Sequence, residues 1–252
     1  METKAGYKPN IEVVTDIESL AHHCVDMFID YARKAINDKG IFFVAISGGH
    51  TPHRFYELLG REDHINEIPW DKVQLFWVDE RYVPAGSDMS NYKLAADTFL
   101  SHVAIPETNI HRIPTELDDM IEAAHIYEQT IRNTFGLDDK KLPQFDLIIL
   151  GMGADGHTGS LFPNSYAPFD TEDLACVVYA LDNEVARITL THPVLSAAKK
   201  ITVLVSGGEK AKTLKEVLTT EPDEVKYPIH SLWPVLDKIT WLVDRDAAAL
   251  LK

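Results

Sequence analysis

Cysteine is scarce in this chain: two occur in 252 residues, Cys24 in a predicted helix and Cys176 in a predicted strand. Neither belongs to a C-x-x-C pair or to a zinc-ligand spacing, so a disulfide framework and a redox pair are disfavoured and both read as small core residues. The eleven histidines include His22-His23 but no zinc pattern, and most of them read as surface residues. Basic residues are also few, 24 against 39 acidic ones, and the net charge of −15 argues against nucleic acid or an anionic membrane as the partner. No apolar run reaches membrane-spanning length, and the N-terminus lacks the hydrophobic region of a secretory signal. The expectation is a cytoplasmic protein. Without a linker or low-complexity segment to divide it, residues 1–252 are expected to form a single α/β domain.

What the chain does have is glycine placed after apolar strands. The segment Asp146 to Pro163 begins as a short buried strand, Leu147 to Leu150, and then breaks into four glycines within nine residues. In open α/β sheets ligands bind at the carboxyl ends of strands, and this loop carries a carboxylate, Asp155, and an imidazole, His157. The pair is a candidate for proton transfer. Gly151, Gly153 and Gly156 also have the G-x-G-x-x-G spacing of a dinucleotide turn, with Asp182 at the place of a ribose-binding acid. That motif needs a helix starting at its last glycine, whereas Gly159, Pro163 and Pro168 leave no room for one.

Taken in order, the chain alternates strand and helix. A strand at Ile11 to Val14 precedes a helix from about Ile17 to Asp38, stopped by Lys39-Gly40. The apolar strand Ile41 to Ile46 then runs into Ser47-Gly48-Gly49-His50-Thr51-Pro52 and a helix to Leu59. A Gly-Gly turn followed by Pro at a helix start aims backbone N–H groups and a helix N-terminus at one point, an anion site, although a plain connection using glycine for its freedom has the same pattern. It is not a Walker loop, because no Gly-Lys-Ser/Thr follows. The strand Val73 to Val78 ends in Asp79-Glu80-Arg81, which reads equally as a functional cluster or as a solvated ion-pair turn. Helices are expected from Ser87 to about Leu100 and from about Leu117 to Phe135, with a short edge strand at Asn109 to Ile113 between them. Strands follow at Ala175 to Ala180, Ala186 to Leu190, Ile201 to Val205 and Ile239 to Val243. Helices are placed at about Pro193 to Ala198, Lys210 to Leu218 and Arg245 to Leu251. A second Ser-Gly-Gly turn, Ser206 to Gly208, leads to Lys210. The alternation points to a mostly parallel, Rossmann-like sheet with helices on both faces.

Ser47 to Pro52, Val78 to Pro84, Ser90-Asn91-Tyr92, Leu150 to Pro163 and Ser206 to Ala211 together resemble the 6-phosphogluconolactonases, in that family's order and over nearly the whole chain. The resemblance implies the modified Rossmann-like fold shared with glucosamine-6-phosphate isomerases. It implies hydrolysis of 6-phosphoglucono-δ-lactone to 6-phosphogluconate in the oxidative pentose phosphate pathway, without a metal or organic cofactor. It makes His157 the general base, with Asp155 as its orienting group; an imidazole is suited to moving a proton near neutral pH. Arg81 and loop N–H groups are the candidate donors to a developing oxyanion. The substrate phosphate is expected on Ser47, Gly48, Gly49, His50 and Thr51, with Arg187 and Lys210 as cationic partners that overcome the acidic global field at contact range.

Two other functions compete. An aldose–ketose isomerase/deaminase acting on an amino-sugar phosphate would use Asp79 as its base, but the deaminases resemble Asp-Glu-Tyr where this chain has Asp79-Glu80-Arg81. A catalytically silent sugar-phosphate sensor would carry an added helix-turn-helix domain, and the chain shows none. The expected partner is thus a small-molecule sugar-phosphate lactone, with possible functional coupling to glucose-6-phosphate dehydrogenase.

Overall fold

Strands whose every side chain is apolar need cover on both faces, which an all-parallel sheet with crossover helices provides. The computed structural model of the protein describes residues 8–138, 140–165, 173–179 and 185–251. Among these, the strands β1 (Asn10–Val14), β2 (Phe42–Ile46), β3 (Val73–Trp77), β5 (Ile110–His111), β6 (Leu147–Gly151), β9 (Ile201–Val205) and β10 (Ile239–Asp244) form one parallel sheet. Its order is β1-β10-β9-β6-β2-β3-β5. The strands β4 (Asp79–Arg81), β7 (Ala175–Val178) and β8 (Arg187–Leu190) form a small antiparallel sheet in the order β4-β8-β7.

The helices are α1 (Ile17–Lys39), α2 (His50–Leu59), α3 (Asn91–Ala95), α4 (Met120–Phe135), α5 (His192–Ala197) and α6 (Ala211–Thr219). Parallel crossovers are right-handed. The connections through α1 and α2 run one way along the sheet and those through α4 and α6 run the other, so the two sets cover opposite faces. The mostly parallel α/β architecture read from the sequence is therefore the observed one. β2, β9 and β10 are buried along their whole length. From β2 the chain works outward to β3 and β5, then returns to β6 on the other side of β2 and works outward to β9 and β10. The carboxyl ends of β2 and β6 consequently flank the point where strand order reverses, and the two glycine-rich loops leave from them.

Val78 ties the two sheets together. Its N–H donates to the Ile46 carbonyl at 2.8 Å and its own carbonyl accepts from Leu190 N–H at 2.7 Å. The small sheet is thereby fixed beside the end of β2.

Several boundaries differ from expectation for identifiable reasons. α1 runs from the Asp16 cap, whose carboxylate accepts from Ser19 N–H, to Gly40 at φ 80°. α3 is only five residues long, capped by Ser90, and continues to Leu100 as a widened turn. α4 begins at Met120 because Asp119 caps it. The expected helix from Arg245 to Leu251 is instead a series of turns: the Asp244 carboxylate takes the Ala247 N–H at 2.8 Å, one i to i+4 bond joins Ala248 N–H to the Asp244 carbonyl, and the bonds from Ala249 and Leu251 are of the tighter i to i+3 kind. Residues Pro228–Lys238, unassigned from the sequence, form 3-10 turns with Pro228 and Pro234 in them. The strand expected from Ala175 to Ala180 is described to Val178, and the nucleotide reading's Asp182 lies outside the described residues. No helix starts at Gly156, which removes the dinucleotide reading. Nor are all histidines at the surface: His230 is fully buried, bonded to Val217 carbonyl and Asp223 N–H.

His111, on the edge strand β5, is half-buried against the Phe76 ring, with centroids 4.4 Å apart, and contacts Gln74 Oε1 at 2.7 Å. Burial pushes its pKa down to about 4. The native ring stays neutral where the unfolded chain's histidine is charged, so this contribution is present above the unfolded pKa near 6.5 and is lost as pH falls toward 4. After discounting for partial solvent access it amounts to about 1–2 kcal/mol. His111→Phe is expected to narrow the stability difference between pH 7 and pH 4.5 by that amount in urea titrations. An unchanged difference removes His111 as a source of acid sensitivity.

Candidate active site

The first loop leaves β2 at Ser47. Gly49 sits at φ 110°, a conformation that glycine adopts at low cost, and forms the cap from which α2 starts. The earliest intrahelical bond is His53 N–H to the Gly49 carbonyl, so the N–H groups of His50 and Thr51 have no partner one turn back. Pro52 stands where its missing N–H costs nothing. These orphan donors and the positive end of the helix dipole face the cleft and favour an anion. Ser47 departs from expectation in one respect: its hydroxyl proton is committed to the Ile149 carbonyl at 2.9 Å, joining the ends of β2 and β6.

The second loop leaves β6 at Gly151 and folds tightly on itself, with Gly153 N–H bonded to the His157 carbonyl and Gly156 N–H to the Gly153 carbonyl. Asp155 Oδ1 lies 2.6 Å from His157 Nδ1 and also accepts the His157 backbone N–H at 3.1 Å. The expected orienting contact is thus present. Burial acts to raise the Asp155 pKa, but the hydrogen bond and charge of His157 outweigh it and leave the carboxyl below its ordinary range. An ionised carboxylate only accepts, so Nδ1 carries a proton, and in the neutral ring the lone pair is on Nε2. A Cβ on Gly153 would come within 2.2 Å of His157 Nδ1, so the pair can form only over a glycine. Behind the loop, Thr213 donates to the Ala154 carbonyl at 2.5 Å and Ile229 N–H to the Gly156 carbonyl at 3.2 Å. The His157 ring rests against Phe162, centroids 4.8 Å apart.

Asp79-Glu80-Arg81 is a strand, and the alternation of strand side chains sorts its three charges. Asp79 and Arg81 face the cleft; Glu80 points the other way. It is buried and accepts from the N–H groups of Arg81, Asn91 and Tyr92 and from the Ser90 hydroxyl. The solvated ion-pair turn is therefore ruled out. Burial raises the Glu80 pKa against the lowering effect of these hydrogen bonds. Asp79 is also buried, its Oδ2 accepting from the Ser160 hydroxyl at 2.6 Å. In the antiparallel pairing Arg81 lies directly opposite Arg187. Like charges across a strand pair are unfavourable unless an anion sits between them.

The second Ser-Gly-Gly turn does not mirror the first. Ser206 hydroxyl and Gly207 N–H are both taken by the buried Asp244 carboxylate. Only Lys210 reaches the cleft from this side. Burial lowers its pKa, partly offset by the charges of Glu209 and Asp244.

One cleft of about 160 Å³ brings together Ser47, Gly48, Gly49, His50, Thr51, Asp79, Arg81, His157, Arg187 and Lys210. Of the expected site residues, Asp155 alone is not in its lining, and it touches His157. Sequence reasoning missed Asn91, which also lines the cleft; its place in Ser90-Asn91-Tyr92 was the available signal.

A family model described as glucosamine-6-phosphate isomerases/6-phosphogluconolactonase matches residues 15–241. The 6-phosphogluconolactonase of Synechocystis is 35% identical over 244 residues, covering 97% of this chain and 99% of that one. The crystal structure of 6-phosphogluconolactonase from Thermotoga maritima superposes with a TM-score of 0.77 at 31% identity, over 94% of this chain and 100% of that one. A human protein named GDH/6PGL endoplasmic bifunctional protein is 34% identical over 221 residues, covering 86% of this chain and 27% of its own length. With matches of this extent, the chain belongs to the glucosamine-6-phosphate isomerase/6-phosphogluconolactonase family.

Proposed function

We propose that the protein, acting as one domain, hydrolyses 6-phosphoglucono-δ-lactone to 6-phosphogluconate. The observation that carries the reading is the Asp155–His157 pair, 2.6 Å apart, opening onto the same cleft as the orphan N–H groups of α2. The substrate phosphate sits on those N–H groups, with Arg187 and Lys210 as counter-charges. With Nδ1 fixed by Asp155, His157 Nε2 takes a proton from water as its oxygen attacks the lactone carbonyl carbon. Arg81 and loop N–H groups stabilise the resulting oxyanion. The tetrahedral intermediate collapses with breakage of the bond to the ring oxygen, and His157 returns the proton to that oxygen. The net result is addition of one water across the ester.

The deciding experiment is lactone hydrolysis on freshly generated 6-phosphoglucono-δ-lactone, corrected for spontaneous opening and run beside the unphosphorylated lactone. Rapid hydrolysis that depends on the phosphate is expected. No acceleration by folded protein defeats the reading. Asp79 in the cleft is the feature an isomerase would need, so turnover of glucosamine 6-phosphate is the paired control, expected to be absent. Coupling to glucose-6-phosphate dehydrogenase is consistent with the human relative's bifunctional name. It is tested by co-purification of the two activities.

A further inference from the structure

Arg81 carries the oxyanion role in the proposed reaction, yet its half-buried guanidinium is held in an unusual way. It follows two carboxylates in sequence, and neither holds its side chain: Glu80 faces the opposite side of the strand and Asp79 Oδ2 is bonded to Ser160. Instead Nη1 donates to Asn91 Oδ1 at 2.7 Å and to the Met89 carbonyl at 3.0 Å. Arg81 Nε is buried with no acceptor among the described residues. Neutral partners keep the full positive charge of the guanidinium available, whereas a carboxylate at the same place would cancel much of it.

Asn91 is itself fixed from three directions. Its Nδ2 donates to the Asp79 carbonyl at 2.9 Å, which requires that Oδ1, the only acceptor on the amide, be the atom turned to Arg81. Its backbone N–H is bonded to the Glu80 carboxylate at 2.8 Å, so the acid behind the strand sets the start of α3 and with it the position of the amide. Its side chain also fills the space over the anion loop, where a Cβ on Gly48 would stand 1.8 Å from Asn91 Oδ1. The amide therefore touches the loop proposed to hold phosphate and the arginine proposed to hold the oxyanion.

We propose that Asn91 is a positioning residue that holds Arg81 uncompensated and aimed at the developing oxyanion, in register with the phosphate loop. The proposal rests on the lactonase reading above. Removing a preorganised oxyanion donor costs about a hundred- to a thousandfold in kcat, and displacing one by about 1 Å costs up to a hundredfold. Asn91→Ala is accordingly expected to lower kcat about thirtyfold, and Asn91→Asp, which adds a charge with little change of shape, about a hundredfold, with KM changed less than about threefold in each.

The experiment measures kcat and KM for both variants, for Arg81→Lys and for Asn91→Ala combined with Arg81→Lys, alongside thermal unfolding of each. If Asn91 acts through Arg81, the combined variant is little slower than Arg81→Lys alone. Fully multiplicative losses, or a raised KM at unchanged kcat, overturn the proposal. So does a kcat in both single variants near that of an active wild type. If Asn91→Ala unfolds, Asn91→Asp, alone and combined with Arg81→Lys, supplies the same comparison. Wild-type protein without lactonase activity fails at the earlier step, the reading on which this one rests, so the two failures are distinguishable.

Discussion

Replacing His157 by alanine is expected to lower kcat about a thousandfold while leaving KM within about threefold, because general acid–base catalysis by one positioned group contributes roughly 10²–10⁴. Among the described residues, the ring is the one imidazole in the cleft whose second nitrogen is fixed by a carboxylate. Its loss removes both the proton acceptor for water and the donor to the leaving ring oxygen, and neither interaction exists in the bound ground state. Substrate binding rests on other atoms, the N–H groups of α2 and the two cations, so KM has little reason to move. Asp155→Asn keeps the shape but no longer fixes Nδ1 as the donor, and a smaller loss of about tenfold to a hundredfold is expected, since the carboxylate is half exposed and water substitutes for it in part. Initial rates with a correction for spontaneous lactone opening decide both. Near-normal turnover in His157→Ala would eliminate it as the base, and a loss in Asp155→Asn larger than in His157→Ala would mean that the carboxylate acts directly.

These two residues were legible in the sequence because everything that defines them is local. An apolar strand followed by glycines at 151, 153 and 156 announces a loop at a strand end, and Asp155 and His157 are near enough in sequence to meet within it. The Ser47 loop was legible for the same reason, and so were the buried parallel strands. What the sequence hid depends on partners distant along the chain. Asp79-Glu80-Arg81 could not be recognised as a strand, because its partner Arg187–Leu190 joins it only in the folded sheet. Without that pairing the opposite fates of Asp79 and Glu80 are invisible, and an acid in the protein interior looks like one at the surface. Asn91 acts on Gly48 and Arg81 across separate elements, which no spacing rule encodes. The two Ser-Gly-Gly turns look alike in sequence, and only the fold, which brings Asp244 onto the second one, tells them apart.

Arg187→Ala and Lys210→Ala are expected to act on binding, each raising KM about tenfold to a hundredfold with kcat lowered less than about fivefold, the range of one charge-assisted hydrogen bond to an anion. The two differ in their response to pH. The Lys210 amine, lowered by burial more than Glu209 and Asp244 raise it, loses its proton at a pH below that of an ordinary lysine. The protonated form is the one that binds phosphate, so affinity is highest below this lowered pKa and falls as pH rises through it. A guanidinium stays charged over the whole range. Lys210→Arg is therefore expected to flatten the alkaline fall in affinity even where its different shape weakens binding at neutral pH. Calorimetric binding of 6-phosphogluconate from pH 7 to 10 reads this without interference from lactone opening. An alkaline fall that persists unchanged in Lys210→Arg would assign it to another group, and an unchanged KM in both alanine variants would remove Arg187 and Lys210 from the phosphate site. If both cations hold the same phosphate, the double alanine variant loses most of its preference for the phosphorylated lactone over the unphosphorylated one, and the neutral lactone is hydrolysed at nearly the wild-type rate. That last result separates a lost phosphate contact from general damage to the cleft, because damage to the Asp155–His157 pair slows both lactones alike.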